Sequence, residues 1–104
     1  METKWYHYIF AFLAGGIFVN VAPHFISGVT GTPFPSPFSD PPGVGLSSPV
    51  LNILWATINA IIASAFVYFG KLNQRHYSVK FGYCVGALAM SFYLASYFGG
   101  IHSQ

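Results

Sequence analysis

The sequence is short of charge. Its 104 residues include four Lys or Arg and two Asp or Glu, 6% in all, where a soluble domain carries about a quarter. A surface so poor in charge does not suit water. The net charge of +2 also leaves no basic face of the kind nucleic acid requires, so nucleic acid is excluded as a partner. Cys84 is the one cysteine, which rules out an internal disulfide. It sits in an apolar run and reads as a small packing or lipid-facing side chain. There is no G-x-S-x-G context for a nucleophilic serine. No ionisable residue falls in the interior of the long apolar runs, which argues against a proton-coupled transporter or a charged pore built by this chain alone.

What is present is apolar: 54% of the residues are hydrophobic and 19% aromatic. The length suits one domain. Three runs are long enough for membrane helices, and the expected fold is an all-α membrane protein with three transmembrane helices. Residues 5–21 form the first, about 25 Å long if helical, with Trp5, Tyr6 and Tyr8 as an interfacial aromatic belt. Pro23 predicts its end, because the residue before a proline is pushed out of helical geometry. Lys4 and the following run resemble a signal peptide, but Asn20 and Pro23 make a poor cleavage point, so a retained span is expected. Residues 50–69 form the second span, introduced by Ser48 as cap and Pro49 at the first helical position. Residues 81–98 form the third. A soluble reading would need three fully enclosed helices in a chain too short to enclose them.

The link 70–80 carries Lys71, Arg75 and Lys80, and the fourth basic residue is Lys4. Three spans put both on one side. The positive-inside rule makes that side the cytoplasm, so the loop 22–49 and the carboxyl tail face outward. Small residues let helices approach in lipid. Ala11 and Gly15 on the first span, Ala56, Ala60 and Ser64 on the second, and Gly82, Gly86, Ser91, Ala95 and Gly99 on the third form such stripes. Gly15, Ala60, Gly82 and Gly86 are the principal packing candidates. Asn59, near mid-span, is expected to bond a neighbouring helix.

The loop 22–49 is the unusual segment. With Pro23 just inside and Pro49 at its end, it holds all seven prolines of the chain. Disorder requires low hydrophobicity and high charge, whereas Phe25, Ile26, Val29, Phe34, Phe38, Val44 and Leu46 give the opposite. An ordered cap is expected, with "TPFPSPF" extended and "DPPGVG" a turn in which Gly43 takes positive φ. The candidate site lies there: Asn20 and Asn52 at helix ends, His24 and Asp40 in the loop, and Phe25, Phe34 and Phe38 as anchors. Hydrogen bonds from His24 to Asp40 or to loop carbonyls are the expected tie. His24, Asp40 and His102 have no recognised metal spacing, and Ser27, Ser36, Ser39, Ser47 and Ser48 are ordinary turn and cap residues. No catalytic residue, metal site or cofactor is assigned.

The strings "FVNVAPHF", "GVTG", "FPSPF", "PPGVGLSSP" and "NILW", within Phe18 to Trp55, resemble a group of small three-span bacterial membrane proteins of no assigned activity. The resemblance implies the bacterial inner membrane and carries over no residue role. The function expected is that of a non-catalytic accessory or assembly subunit, with the lipid bilayer and other membrane subunits as partners and the loop as docking surface or lid. The alternative is a homo-oligomeric channel or transporter for a neutral or apolar molecule. A lipid-acting enzyme is the third reading.

Overall fold

The structure is a computed structural model that describes residues 2–102. Helix α1 runs Trp5–Val29, α2 runs Pro49–Gly70, a single 3-10 turn spans Leu72–Gln74, and α3 runs Ser78–His102. All three α-helices are long and apolar enough to cross a membrane. They make a bundle 46 Å long and 24 by 21 Å across. α1 is the central helix: it packs along both α2 and α3, while those two barely touch each other.

The burial pattern is inverted relative to a water-soluble protein. Small and polar residues of α1 are inside: His7, Ala11, Ala14, Gly15, Gly16, His24 and Ser27. Large side chains such as Trp5, Phe12, Ile61, Phe81 and Phe92 are exposed. Helices without a hydrophobic drive between them associate this way, by close backbone approach. The α1–α3 seam makes the point. A Cβ added to Gly86 would overlap the Phe12 carbonyl, and one on Gly15 would overlap that of Tyr83. Gly82 lies beside Tyr8 and Ala11. Ala60 is only half-buried and Ser64 is exposed. The buried face of α2 is Asn52, Ala56, Asn59 and Ala63 instead, so the expected Ala56–Ala60–Ser64 stripe is rotated off the seam. On α3, Ser91, Ala95 and Gly99 are exposed.

Pro23 does not end the first helix. α1 continues through it to Val29, eight residues past the expected end at residue 21. Proline removes one amide and crowds the preceding turn, but a helix in an apolar setting keeps its remaining internal bonds because no solvent competes for them. Tertiary contacts then hold the extra turns: His24 bonds α2, and Gly28 sits against Ile53 and the Pro49 carbonyl. α2 matches its expected bounds to one residue at each end. α3 is longer by three residues at its start and four at its end than 81–98. The long connection therefore shrinks to residues 30–48.

One end of the bundle gathers the basic residues. Arg75 Nε donates to the Gly70 carbonyl at 2.9 Å and its Nη1 to the Glu2 carbonyl at 2.8 Å. The His76 amide donates to Thr3 Oγ1 at 2.7 Å, and Tyr8 and Ser78 share a 2.6 Å hydroxyl bond. The chain start and the 71–77 link are thus tied together. The long connection and the end of α3 occupy the opposite end, where Phe34 meets Phe98 and His102.

Candidate functional site

Residues 30–48 fold as a cap over the ends of all three helices. Phe34 and Ser47 close its neck as an antiparallel bridge, with amide-to-carbonyl distances of 3.2 and 2.9 Å. Ser36 is the hub within. Its hydroxyl shares a 2.6 Å bond with that of Ser47 and accepts from the Phe38 amide at 3.1 Å. Its carbonyl accepts from Gly43 at 2.8 Å and from Ser39 at 3.1 Å. Ser36, Ser39 and Ser47 are all buried. Buried hydroxyls need such partners, and here each satisfies a turn. Gly43 has φ +74, a conformation side chains disfavour. Its carbonyl accepts from the Tyr97 hydroxyl of α3 at 2.7 Å. The Asp40–Pro41 peptide is cis.

Beneath the cap lies a polar ladder between α1 and α2. Asn52 is wholly buried. Its amide nitrogen donates to the carbonyls of Phe34, Ser47 and Ser48, at 3.0, 3.3 and 3.1 Å. The amide oxygen is thereby left for His24, whose Nδ1 lies 2.7 Å away. That oxygen cannot donate, so Nδ1 carries the proton and His24 presents Nε2 as an acceptor. The same logic runs two turns down the seam. Asn59 donates Nδ2 to the Trp55 carbonyl at 2.8 Å, which points its oxygen at Asn20. Asn20 answers with Nδ2 at 3.3 Å. His24 and Asn20 are four residues apart and share one face of α1; Asn52 and Asn59 share one face of α2.

The expected site residues part company here. Asn20, His24 and Asn52 come together with Phe34; Asp40 does not. Asp40 is exposed, and its carboxylate has no hydrogen bond among the described residues. The expected His24–Asp40 tie is replaced by His24–Asn52, because the extended α1 turns His24 toward α2 and away from the cap's tip. Of the three aromatic anchors, Phe34 packs on His24, Phe98 and His102, with centroids at 5.7, 4.6 and 6.2 Å. Phe38 stands edge-on to Trp55 at 5.4 Å but is 56% exposed. Phe25, carried by the extra turns of α1, is 50% exposed and faces outward. Tyr97, Phe98 and Trp55 are site residues that the sequence reading passed over. Trp55 ends the "NILW" string, three residues after Asn52, which places it on the same helix face.

Among the described residues no group of three His, Cys, Asp or Glu could hold a metal ion. His24, Asp40 and His102 are not brought into one set. Nor do serines join His24 through side chains. Ser27 donates to the His24 carbonyl at 3.1 Å, Ser48 caps α2 by accepting from Leu51 at 3.1 Å, and the cap serines bond to one another. An open cleft of about 150 Å³ remains between the cap and the three helices, lined by Asn20, His24, Trp55, Tyr97, Phe98 and the cap segment around Ser36. What the arrangement offers chemically is hydrogen-bond acceptors and aromatic walls. Comparison with known proteins returns no match, neither to a family model, nor to a curated protein, nor to a solved structure.

Proposed function

We propose that the chain is a multi-pass subunit of the bacterial inner membrane that acts without catalysis, docking another membrane-embedded subunit through its cap. The amino terminus and the 71–77 link lie in the cytoplasm, and the cap and carboxyl end lie outside. All four Lys and Arg residues at one end of the bundle support that orientation.

The observation that carries the docking role is the contrast between the two sides of the cap. Its inner side is braced by Asn52, the serine hub and Tyr97. Its outer side offers Phe38, Val44 and Leu46, which are 56, 46 and 68% exposed. A braced loop loses little freedom on binding, and exposed aromatic and aliphatic groups on it supply the contact. The channel reading has less support within one chain, because the polar side chains that a pore needs are spent on one another, Asn20 on Asn59 and His24 on Asn52.

The test is a photo-crosslinker placed at Leu46, with a second at Tyr68 on the opposite end, followed by mass determination of the complex in mild detergent. Docking gives a foreign subunit in fixed stoichiometry, linked from Leu46 and not from Tyr68. A ring of identical chains supports the channel instead. A monomer with no product from Leu46 removes the docking role.

A further inference from the structure

The cavity under the cap holds an unusual group. His24 is 3% exposed, one of its ring nitrogens is committed to Asn52, and the other has no hydrogen-bond partner among the described residues. Every fully buried side-chain nitrogen or oxygen among the described residues has a partner, so this nitrogen is reached from outside, on a residue that lines the cleft. The tautomer argument makes Nε2 a lone-pair acceptor. Asn20, one turn earlier on α1, is in the same condition. Its Nδ2 is given to Asn59, so its Oδ1 is a second acceptor, on a residue that lines the cleft. The hydroxyl of Tyr97 gives its proton to Gly43 and has none to offer a guest. The rest of the wall is aromatic, from Trp55 and Phe98.

We propose that this cavity is a binding site for a small neutral molecule that joins one hydroxyl or N–H donor to an apolar body no larger than a single aromatic ring, with phenol as the type. Three features select that chemistry. The volume of about 150 Å³ is of the order that admits one benzene ring. The unpartnered atoms of His24 and Asn20 are acceptors, so the guest supplies the proton to them. No carboxylate lines the cavity, so a cation would lose its hydration without a counter-charge. The proposal rests on the cavity and its two acceptors and is independent of what docks on the cap's outer side.

The experiment uses the full chain in lipid nanodiscs with isotope-labelled histidine, titrated with phenol, toluene or methylammonium, and follows the imidazole nitrogens of His24 by NMR. Phenol is expected to shift Nε2 and leave Nδ1 in place, since Nδ1 stays on Asn52. Toluene, alike in shape but without the donor, is expected to bind at least about fivefold more weakly. Phe98→Trp, which narrows the cavity and spares the His24–Asn52 bond, should weaken phenol binding about tenfold or more. Asn20→Leu should weaken it by a smaller factor. No Nε2 shift with phenol overturns the proposal, as does an equal response to toluene. Tighter binding of methylammonium overturns the neutral donor, and undiminished phenol binding by a folded Phe98→Trp overturns the location.

Discussion

His24 Nδ1 and Asn52 Oδ1 lie 2.7 Å apart in a fully buried bond. That bond joins α1 to α2, and through the other side of Asn52 it joins both to the cap. Three carbonyls, two of them at the cap's neck, fix the orientation of the Asn52 amide. The amide in turn fixes the tautomer of His24. The cap, the helix seam and the chemical character of the cavity therefore share one side chain.

Asn52→Leu should lower stability by about 1–3 kcal/mol, since it leaves the His24 imidazole unpaired and takes a second donor from three carbonyls that keep their backbone partners. Thermal unfolding in detergent measures it. A loss below about 0.5 kcal/mol would show that the cap does not hang on Asn52.

Asp40 and His24 should behave differently. Asp40→Ala removes an exposed carboxylate without a partner and should change stability by less than about 0.5 kcal/mol. His24→Ala empties a buried site and leaves the Asn52 oxygen unpaired, at a cost of about 1–3 kcal/mol. Equal effects in the two variants would mean that the cap rearranges to let Asp40 reach the histidine.

Gly86→Ile should separate α3 from α1, because any side chain at that position meets the Phe12 carbonyl. Overpacking of this kind costs about 1–3 kcal/mol or more. Gly99→Ile is the control: nothing lies near that glycine, and its effect should be small. Similar unfolding temperatures for Gly86→Ile and the parent protein would contradict the close α1–α3 seam.

The cap should resist protease. Ser36→Ala removes the bond to Ser47 and the acceptor for Phe38, and it should speed cleavage within "TPFPSPFSD" several-fold by raising local opening. Fast cleavage of the unaltered protein at that stretch, added from the cap side, would be incompatible with a braced cap.

A reporter fused after residue 104 should be active only outside the cytoplasm, as should one inserted at Asp40. Cytoplasmic activity of either would invert the proposed orientation.

The number and approximate place of the helices were legible in the sequence because a run long enough to span a bilayer is a local property of composition. The gathering of Lys4, Lys71, Arg75 and Lys80 at one end follows from counting three such runs. The turn at Gly43 was equally local, since Pro-Pro-Gly chemistry leaves that residue little else to do. Partner choice was not local. The bond from Asn20 to Asn59 spans 39 residues and that from His24 to Asn52 spans 28, so each depends on how α1 and α2 are rotated and in what register they meet. Pro23 misled for the same reason. Its penalty acts on one turn, whereas the contacts that outweigh it, at His24 and Gly28, arise only once α2 is in place. The rotation of α2 also decided that Asn52, Ala56, Asn59 and Ala63 face the seam, with Ala60 at its margin and Ser64 outside it. The cavity belongs to the tertiary structure alone, since its walls come from three helices and the cap, and no stretch of sequence contains more than a part of them.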